Sequence, residues 1–522
     1  MMFKQVGLYV ILLTSACESA KILGVFPIAM PSRYILGNAL LRGLAEAGHD
    51  VTMVSPFTEK DPPKNGSWRD IVLTGITNEH QDYIRKFTKF QWLGQYASLS
   101  AMITPITASF ISEPLLNHTN MQKLMKSGEK FDIVIVCQFL TEATKALSNL
   151  FDAHLIVFSS FRMNFMLNHL VGNPSLPSYE PELLSSFPPG MSFSQRVLNT
   201  LYKFVMNSLL HLFTYPINDR AVKKYFPSPF NQVDLNDALY NVSLILHNYH
   251  VSISSPLPHV PCIIDIGGIH IRPWKLPDDL QEFLDNAKEG VIYMSLGSNV
   301  NSKDLPLKSR TAILNTFSKL KLKVLWKWED DVMPGQPPNV KIGKWLPQQD
   351  VLAHPNIKLF ITQGGLLSII ETVYYGVPII AIPFLADQPL NAYTAQKEGY
   401  GIVLLLKDLS EGKLSSLIEE ILSNTKYTEE AKRRSTIMKD RQISPLDNAV
   451  YWVEYVIRHK GAKHLRVQYL DLAWYQYYLL DVFAFILIVI LVACILLKIS
   501  ARCVRYILNK FIRNRFTKEK DE

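Results

Sequence analysis

The chain has 522 residues, 48% hydrophobic and 19% charged, which is too apolar for a disordered chain and too long for one small core. A formal charge of +8 with no long basic run in the body of the chain argues against a nucleic-acid binder, whose Lys and Arg would gather on one face. Five cysteines in this length exclude a disulfide-stapled mini-domain.

At the start, Lys4, an apolar run over 6–13 and small residues over 15–20 have the make-up of a secretory signal peptide, assigned to 1–20. The next short apolar run, 21–27, is predicted as a strand. A helical spacing of Ile35, Leu36, Ala39, Leu40, Leu44 and Ala47 follows, stopped by Gly48, and residues 50–55 form the next strand. Strand, helix and strand in about 35 residues predict a parallel βαβ unit. Residues 132–137 and 154–159 are further strands, with a helix over 141–150 between them. The Pro- and Gly-rich stretch 256–279 is predicted as a connection. After it the alternation restarts: strands at 290–295, 323–328, 359–362 and 378–382, helices at 305–320 and 366–375. The expected fold is therefore α/β, two Rossmann-like domains facing a cleft, with ligands at the carboxyl ends of the strands. The expected layout is an N-terminal domain over 21–255, a linker over 256–285, a C-terminal domain over 286–460 and a juxtamembrane segment over 461–480.

Residues 482–497 carry no charge and follow Tyr475, Tyr477 and Tyr478, which predicts a transmembrane helix over 481–498 with an aromatic belt. Eight basic residues against three acidic ones follow, so 499–522 is expected to be a cytoplasmic tail and the body of the chain lumenal. Lys518 and Lys520, fifth and third from the end, resemble a dilysine retrieval signal, which implies the endoplasmic-reticulum membrane in type I orientation. Lumenal exposure makes Asn65, Asn117 and Asn241, each in an Asn-X-Ser/Thr triplet, glycosylation candidates. Of the cysteines only Cys137 and Cys262 fall in the lumenal part, enough for one disulfide at most.

The second half carries the chemistry. Ser298 lies in a Gly-Ser turn after the first strand, offering amides and a hydroxyl to a phosphate. Gln363, Gly364 and Gly365 join a strand to a helix, whose amide end favours a diphosphate. Trp345 is suited to stack on a base, Glu371 to accept from ribose hydroxyls, and Asp387 with Gln388 to bond sugar hydroxyls.

The run from Trp345 to Gln388 resembles the signature of the UDP-glycosyltransferases, the UDP-glucuronosyltransferase superfamily. The order of signal peptide, two domains, the segment 471–477 (DLAWYQY), one span and a dilysine-like tail agrees over nearly the whole chain. Residues 32–36 (SRYIL) and 366–368 (LLS) are most similar to insect members. The resemblance implies a GT-B fold and inverting, metal-independent transfer from UDP-glucose or UDP-glucuronate to a small lipophilic acceptor. It implies no cofactor, the UDP-sugar being a co-substrate, and admits a homo-oligomer. At matching positions it puts Ser298, Gln363, Gly364 and Gly365 at the diphosphate, Trp345 and Gln348 at uracil, Glu371 at ribose and Asp387 with Gln388 at the sugar, with Ser368 beside them.

The chain departs from the family pattern at three places. The base, a His in a Ser-His pair, is here Arg33 after Ser32, and a guanidinium cannot accept a proton near neutrality. The carboxylate partner of that His falls at or next to Cys137. The His of the Thr-His-Gly-Gly turn is Gln363, which can still donate to a phosphate. His49, His154, His169 and His354 are the other candidates for a base. Two readings follow: a transferase with reduced activity or an acidic acceptor, or a pseudoenzyme that keeps the UDP-sugar site. Acceptor contacts are expected from 68–112 and 161–229, which carry no readable code.

Overall fold

The computed structural model describes residues 19–76, 111–139, 141–272 and 275–518. Residues 1–18 of the expected signal peptide, Lys520 of the dilysine pair and most of the acceptor stretch 68–112 lie outside them. The chain divides into two units, Met1–Arg466 and Val467–Glu522.

The first unit holds two all-parallel sheets. β1 (Lys21–Val25), β2 (Asp50–Ser55), β3 (Ser67–Val72), β4 (Ile133–Cys137), β5 (His154–Ser159), β6 (Val242–His247) and β7 (Ile263–Asp265) form one, in the order β3-β2-β1-β4-β5-β6-β7. β8 (Val291–Ser295), β9 (Lys323–Lys327), β10 (Val340–Gly343), β11 (Ile357–Thr362), β12 (Ile379–Ala381) and β13 (Gly401–Val403) form the other, in the order β10-β9-β8-β11-β12-β13. Strand order reverses between β1 and β4 in the first sheet and between β8 and β11 in the second. Those are the places where open α/β sheets leave a crevice.

Both sheets are covered on both faces, which is why their central strands are continuous apolar runs. Ile22, Met53, Ile135 and Ile156 enter one core cluster while their neighbours Leu23, Val54, Val136 and Val157 enter another. In the second sheet Ile292, Leu359 and Ile361 point one way, and Tyr293 and Phe360 the other. The strands not foreseen, β3, β6, β7, β10 and β13, include the edges of both sheets. There the side chains are mixed (SWRDIV, VKIG) or the strand is three residues long (IID, GIV). β7 lies inside the stretch expected to be a connection.

Four helices of this unit position the site: α1 (Pro31–Glu46), α2 (Leu366–Tyr375), α3 (Gln388–Lys397) and α4 (Pro445–Arg458). α1 begins four residues before the apolar spacing does. Pro31 occupies its first turn, where a missing N–H costs nothing and the fixed φ is already helical. α4 follows the second sheet in sequence but buries Ala449, Val453 and Val456 in the first domain's cluster with Ile22, Leu36 and Leu40. Gly43 of α1 makes the approach close: a Cβ there would lie 2.5 Å from Leu446 Cδ1. The segment expected as a helix over 141–150 is a 3-10 turn, Glu142–Ala146, running into a short α-helix, Leu147–Leu150.

The second unit is a 3-10 turn (Gln468–Asp471), a short helix (Trp474–Tyr477) and α5 (Leu480–Lys518). α5 is long and apolar enough to cross a membrane. It continues through residues expected to be a separate basic tail. At 1.5 Å per residue, 39 residues give about 58 Å, beyond the ~30 Å hydrocarbon core.

Candidate functional site

In the second domain the turns after β8 and β11 meet at the switch point. Gly297 has φ +79, and a Cβ on it would sit 2.1 Å from Gln363 Nε2. Only a glycine lets the half-buried Ser298 turn lie against the Gln363 side chain. Gly364 has φ +81 and donates its N–H to Thr362 Oγ1 at 3.3 Å. Gly365 then caps α2 with no side chain of its own, and the backbone of Leu366 in the first turn meets the buried Asp387 carboxyl.

Behind that turn the polar side chains form one network. Gln348 donates from Nε2 to Ser368 Oγ at 2.9 Å and also to Glu371 Oε2. Tyr293 donates its hydroxyl to Gln348 Oε1 at 3.3 Å, its ring stacked on Phe360 at 4.8 Å. Glu371 is only 3% exposed, and its Oε1 pairs with His270 Nε2 at 3.1 Å. The carboxylate expected to meet a ligand thus also ties the interdomain segment to α2. Trp345, three residues before Gln348, is 62% exposed.

Asp387 and Gln388 stand at the start of α3. Asn391 donates from Nδ2 to Asp387 Oδ2 at 2.7 Å and to the Gly364 carbonyl at 3.1 Å, locking the start of α3 to the glycine turn. Gln388 Oε1 accepts from the Phe384 and Leu385 amides at 2.8 and 3.1 Å, so its Nε2 is the atom left for a ligand. Burial raises the Asp387 carboxyl above the usual range, against the Asn391 hydrogen bond and the nearby Arg33 charge.

That charge belongs to the other domain. Arg33 sits in the first turn of α1 after β1, and Cys137 ends β4, so the two flank the first sheet's switch point. Arg33 is buried, 6% exposed, with its guanidinium 3.6 Å from the Phe139 ring centre and 4.7 Å from that of Phe161. Its Nη1 has no hydrogen-bond partner, and neither has Ser160 Oγ after β5. Burial lowers the Arg33 pKa, opposed by Cys137 and, across the crevice, by Asp387. Burial also pushes the Cys137 thiol up, although Arg33 and Ser160 both act on it. Cys137 therefore holds a neutral thiol, not a carboxylate substitute.

The four histidines named as other candidate bases lie elsewhere. His49 accepts from the Ala20 amide and faces Glu454 at 3.4 Å. His154 is at the amino end of β5, away from the crevice. His169 is held by the Phe165 carbonyl and the Tyr215 hydroxyl, with burial pushing its pKa down to about 4. His354 meets Asp285 Oδ1 at 3.0 Å.

Among the described residues His247, His259 and Asp265 are the group closest to a metal-ligand cluster. The Met163 amide donates to His247 Nε2 at 3.0 Å, so the proton of that ring sits on Nδ1, facing Asp265 Oδ1 at 2.7 Å. With Nδ1 protonated and Nε2 occupied, His247 has no lone pair for an ion or for a base.

Sequence reasoning passed over His270, Asn391, Ser160 and Phe139, while Phe161 opens the acceptor stretch 161–229 that it did name. Asn391 had a usable signal, four residues after Asp387 on one helix face; the other three had none. Asn65, Asn117 and Asn241 are all exposed. Cys137 and Cys262 are both free and buried.

The family model described as "UDP-glucoronosyl and UDP-glucosyl transferase" matches residues 25–516. "UDP-glycosyltransferase UGT5" of Dactylopius coccus is 38% identical over 94% of this chain and 93% of its own length. "UDP-glucosyltransferase 2" of the same insect is 35% identical over 98% and 96%. The human "UDP-glucuronosyltransferase 2B10" is 30% identical over 91% of each chain. A solved UDP-glucose:anthocyanidin 3-O-glucosyltransferase aligns with TM-score 0.54 at 13% identity, covering 85% of this chain and all of its own. The glycosyltransferase of kitacinnamycin does so at 0.54 and 16%, covering 84% and 100%. Those likenesses fix the architecture as GT-B. With the family match running almost end to end, this chain belongs to the UDP-glucuronosyl and UDP-glucosyl transferase family.

Proposed function

We propose that the chain is a membrane-anchored UDP-hexosyltransferase that holds its donor at the second switch point and its acceptor at the first. Trp345 stacks on uracil beside Gln348, and Glu371 accepts from the ribose hydroxyls. The Ser298 turn and Gln363, Gly364 and Gly365 receive the diphosphate at the amino end of α2. Asp387 and the Gln388 amide bond the sugar. The observation that carries this reading is the Gln348–Ser368–Glu371 network, set beside an exposed indole and the amino end of α2. Departing UDP is stabilised there by amides and dipole, with no metal and no cofactor assigned a step. The insect relative's name, UDP-glucosyltransferase 2, favours glucose over glucuronate as the donor. α5 anchors the chain in the endoplasmic-reticulum membrane in type I orientation, with Asn65, Asn117 and Asn241 exposed for glycosylation.

A second reading, a UDP-sugar-binding pseudoenzyme, is favoured by the Arg33 and Cys137 pair, which supplies neither base nor carboxylate. Calorimetric titration of the full chain in detergent with UDP tests the site common to both. Trp345→Ala is expected to weaken binding more than tenfold, about 1.4 kcal/mol or more. Unchanged affinity in that variant removes the stacking role, and no UDP binding by the native chain removes both readings.

A further inference from the structure

The first-domain side of the crevice holds a charge that nothing in the protein neutralises at hydrogen-bond distance. Arg33 is buried, yet its Nη1 has no partner and no carboxylate forms an ion pair with it among the described residues. A buried unpaired cation is destabilising, and the Phe139 face at 3.6 Å offsets part of this. Ser160 Oγ, also buried and without an aligned hydrogen-bond partner, borders the Cys137 thiol as Arg33 does. A guanidinium N–H and a hydroxyl thus converge at the switch point, both able to donate. Phe139 and Phe161, half-buried and stacked at 5.9 Å, form an apolar wall next to them. This is the chemistry of a site for an apolar carboxylate. The donor diphosphate is already provided for by the turns after β8 and β11, so it is not the anion that this cation lacks.

We infer, on the transferase reading above, that the acceptor is an aryl or otherwise apolar carboxylic acid, its carboxylate held by Arg33 and Ser160 and its body against Phe139 and Phe161, and that the product is a sugar ester. The step needs no base. A hydroxyl acceptor must lose a proton as it attacks, whereas a carboxylate arrives without one. A carboxylate oxygen forms the bond to the anomeric carbon, and the bond from that carbon to the β-phosphate oxygen breaks. The electron pair leaves on UDP, whose third negative charge is the one the carboxylate brought. Arg33 in place of a base thus selects the acceptor class whose chemistry dispenses with one.

The test compares 3-phenylpropionate with 3-phenylpropan-1-ol at pH 7, using the full chain in detergent with UDP-glucose and UDP-glucuronate. UDP release is measured, and the ester is trapped as its hydroxamate with hydroxylamine. The acid is expected to react with at least tenfold higher kcat/KM than the alcohol. Arg33→Met should remove tenfold or more of the acid's kcat/KM, mainly through KM, with UDP affinity unchanged, and Arg33→Lys should restore part. Equal or faster reaction of the alcohol overturns the inference, as does Arg33→Met keeping the acid preference. UDP binding with neither acceptor consumed also overturns it, while leaving donor binding intact. Should Arg33→Met not fold, the native chain's preference between acid and alcohol decides.

Discussion

The two sides of the crevice are built on opposite principles. On the side proposed to hold the donor, Gln348, Glu371, Asp387 and Gln388 each hold a protein partner, and Asn391 clamps the start of α3 to the glycine turn. On the acceptor side Arg33 Nη1 and Ser160 Oγ are buried with none. Preorganised dipoles suit a ligand that is the same in every turnover, because no reorganisation is needed when charge develops on the leaving group. Unpaired donors suit selection among acceptors, because a ligand that fails to satisfy them leaves their desolvation uncompensated.

The sharpest way to break that contrast is to unpick the donor network. Glu371→Ala leaves His270 and Gln348 without their shared carboxylate, and UDP affinity is expected to fall about a hundredfold or more, read by calorimetry, since truncating one member of a buried charged network strands the others. Retained affinity would mean that the donor side is not held together by Glu371. Next comes conversion of the acceptor side. Arg33→His combined with Cys137→Asp places an imidazole in the first turn of α1 and a carboxylate at the end of β4, and turnover of a neutral alcohol is expected to rise at least tenfold, toward the ~10²–10⁴ that a general base supplies. No gain in UDP release would show that these positions do not reach the reacting oxygen.

The smallest effect concerns another unpaired group of the first domain. Glu182 is buried, its Oε2 has no partner, and burial pushes its carboxyl up to about 8. The unfolded chain releases this proton near the ordinary glutamate value of about 4.3, while the folded chain holds it to about 8. Between those values the folded state binds more protons, so stability falls as pH rises through the window. Glu182→Gln should leave Tm nearly unchanged at pH 5 and raise it by several degrees at pH 9. A constant difference at both pH values would remove the titration.

The strand, turn and helix at the second switch point were legible in the sequence because glycines bracket them. α2 runs over Leu366–Tyr375 as the spacing predicts, since Gly365 precedes it and Gly376, in a left-handed cap, ends it. The switch-point positions of Arg33 and Cys137 were also readable, Arg33 between the first strand and its helix and Cys137 at the end of the strand over 132–137. What surrounds them was not. That Arg33 lies on Phe139 rather than in solvent depends on loops after β4 and β5 that carry no spacing signal. His270 reaches Glu371 from 101 residues away, a pairing set by tertiary geometry alone. Edge strands such as Val340–Gly343 lacked the two-sided apolar run that marks their central neighbours.

The docking of α4 on α1 has a consequence for how the molecule is made and moves. The first domain's hydrophobic cover is completed by residues synthesised after the whole second sheet, so an emerging N-terminal half keeps the side of Leu36 and Leu40 uncovered until residue 458 has left the ribosome. In the finished protein the chain crosses between the halves twice, once after β7 and once before α4. Any opening of the crevice must turn about those two crossings, which makes a hinge with a defined axis of what a single linker would leave as a free joint.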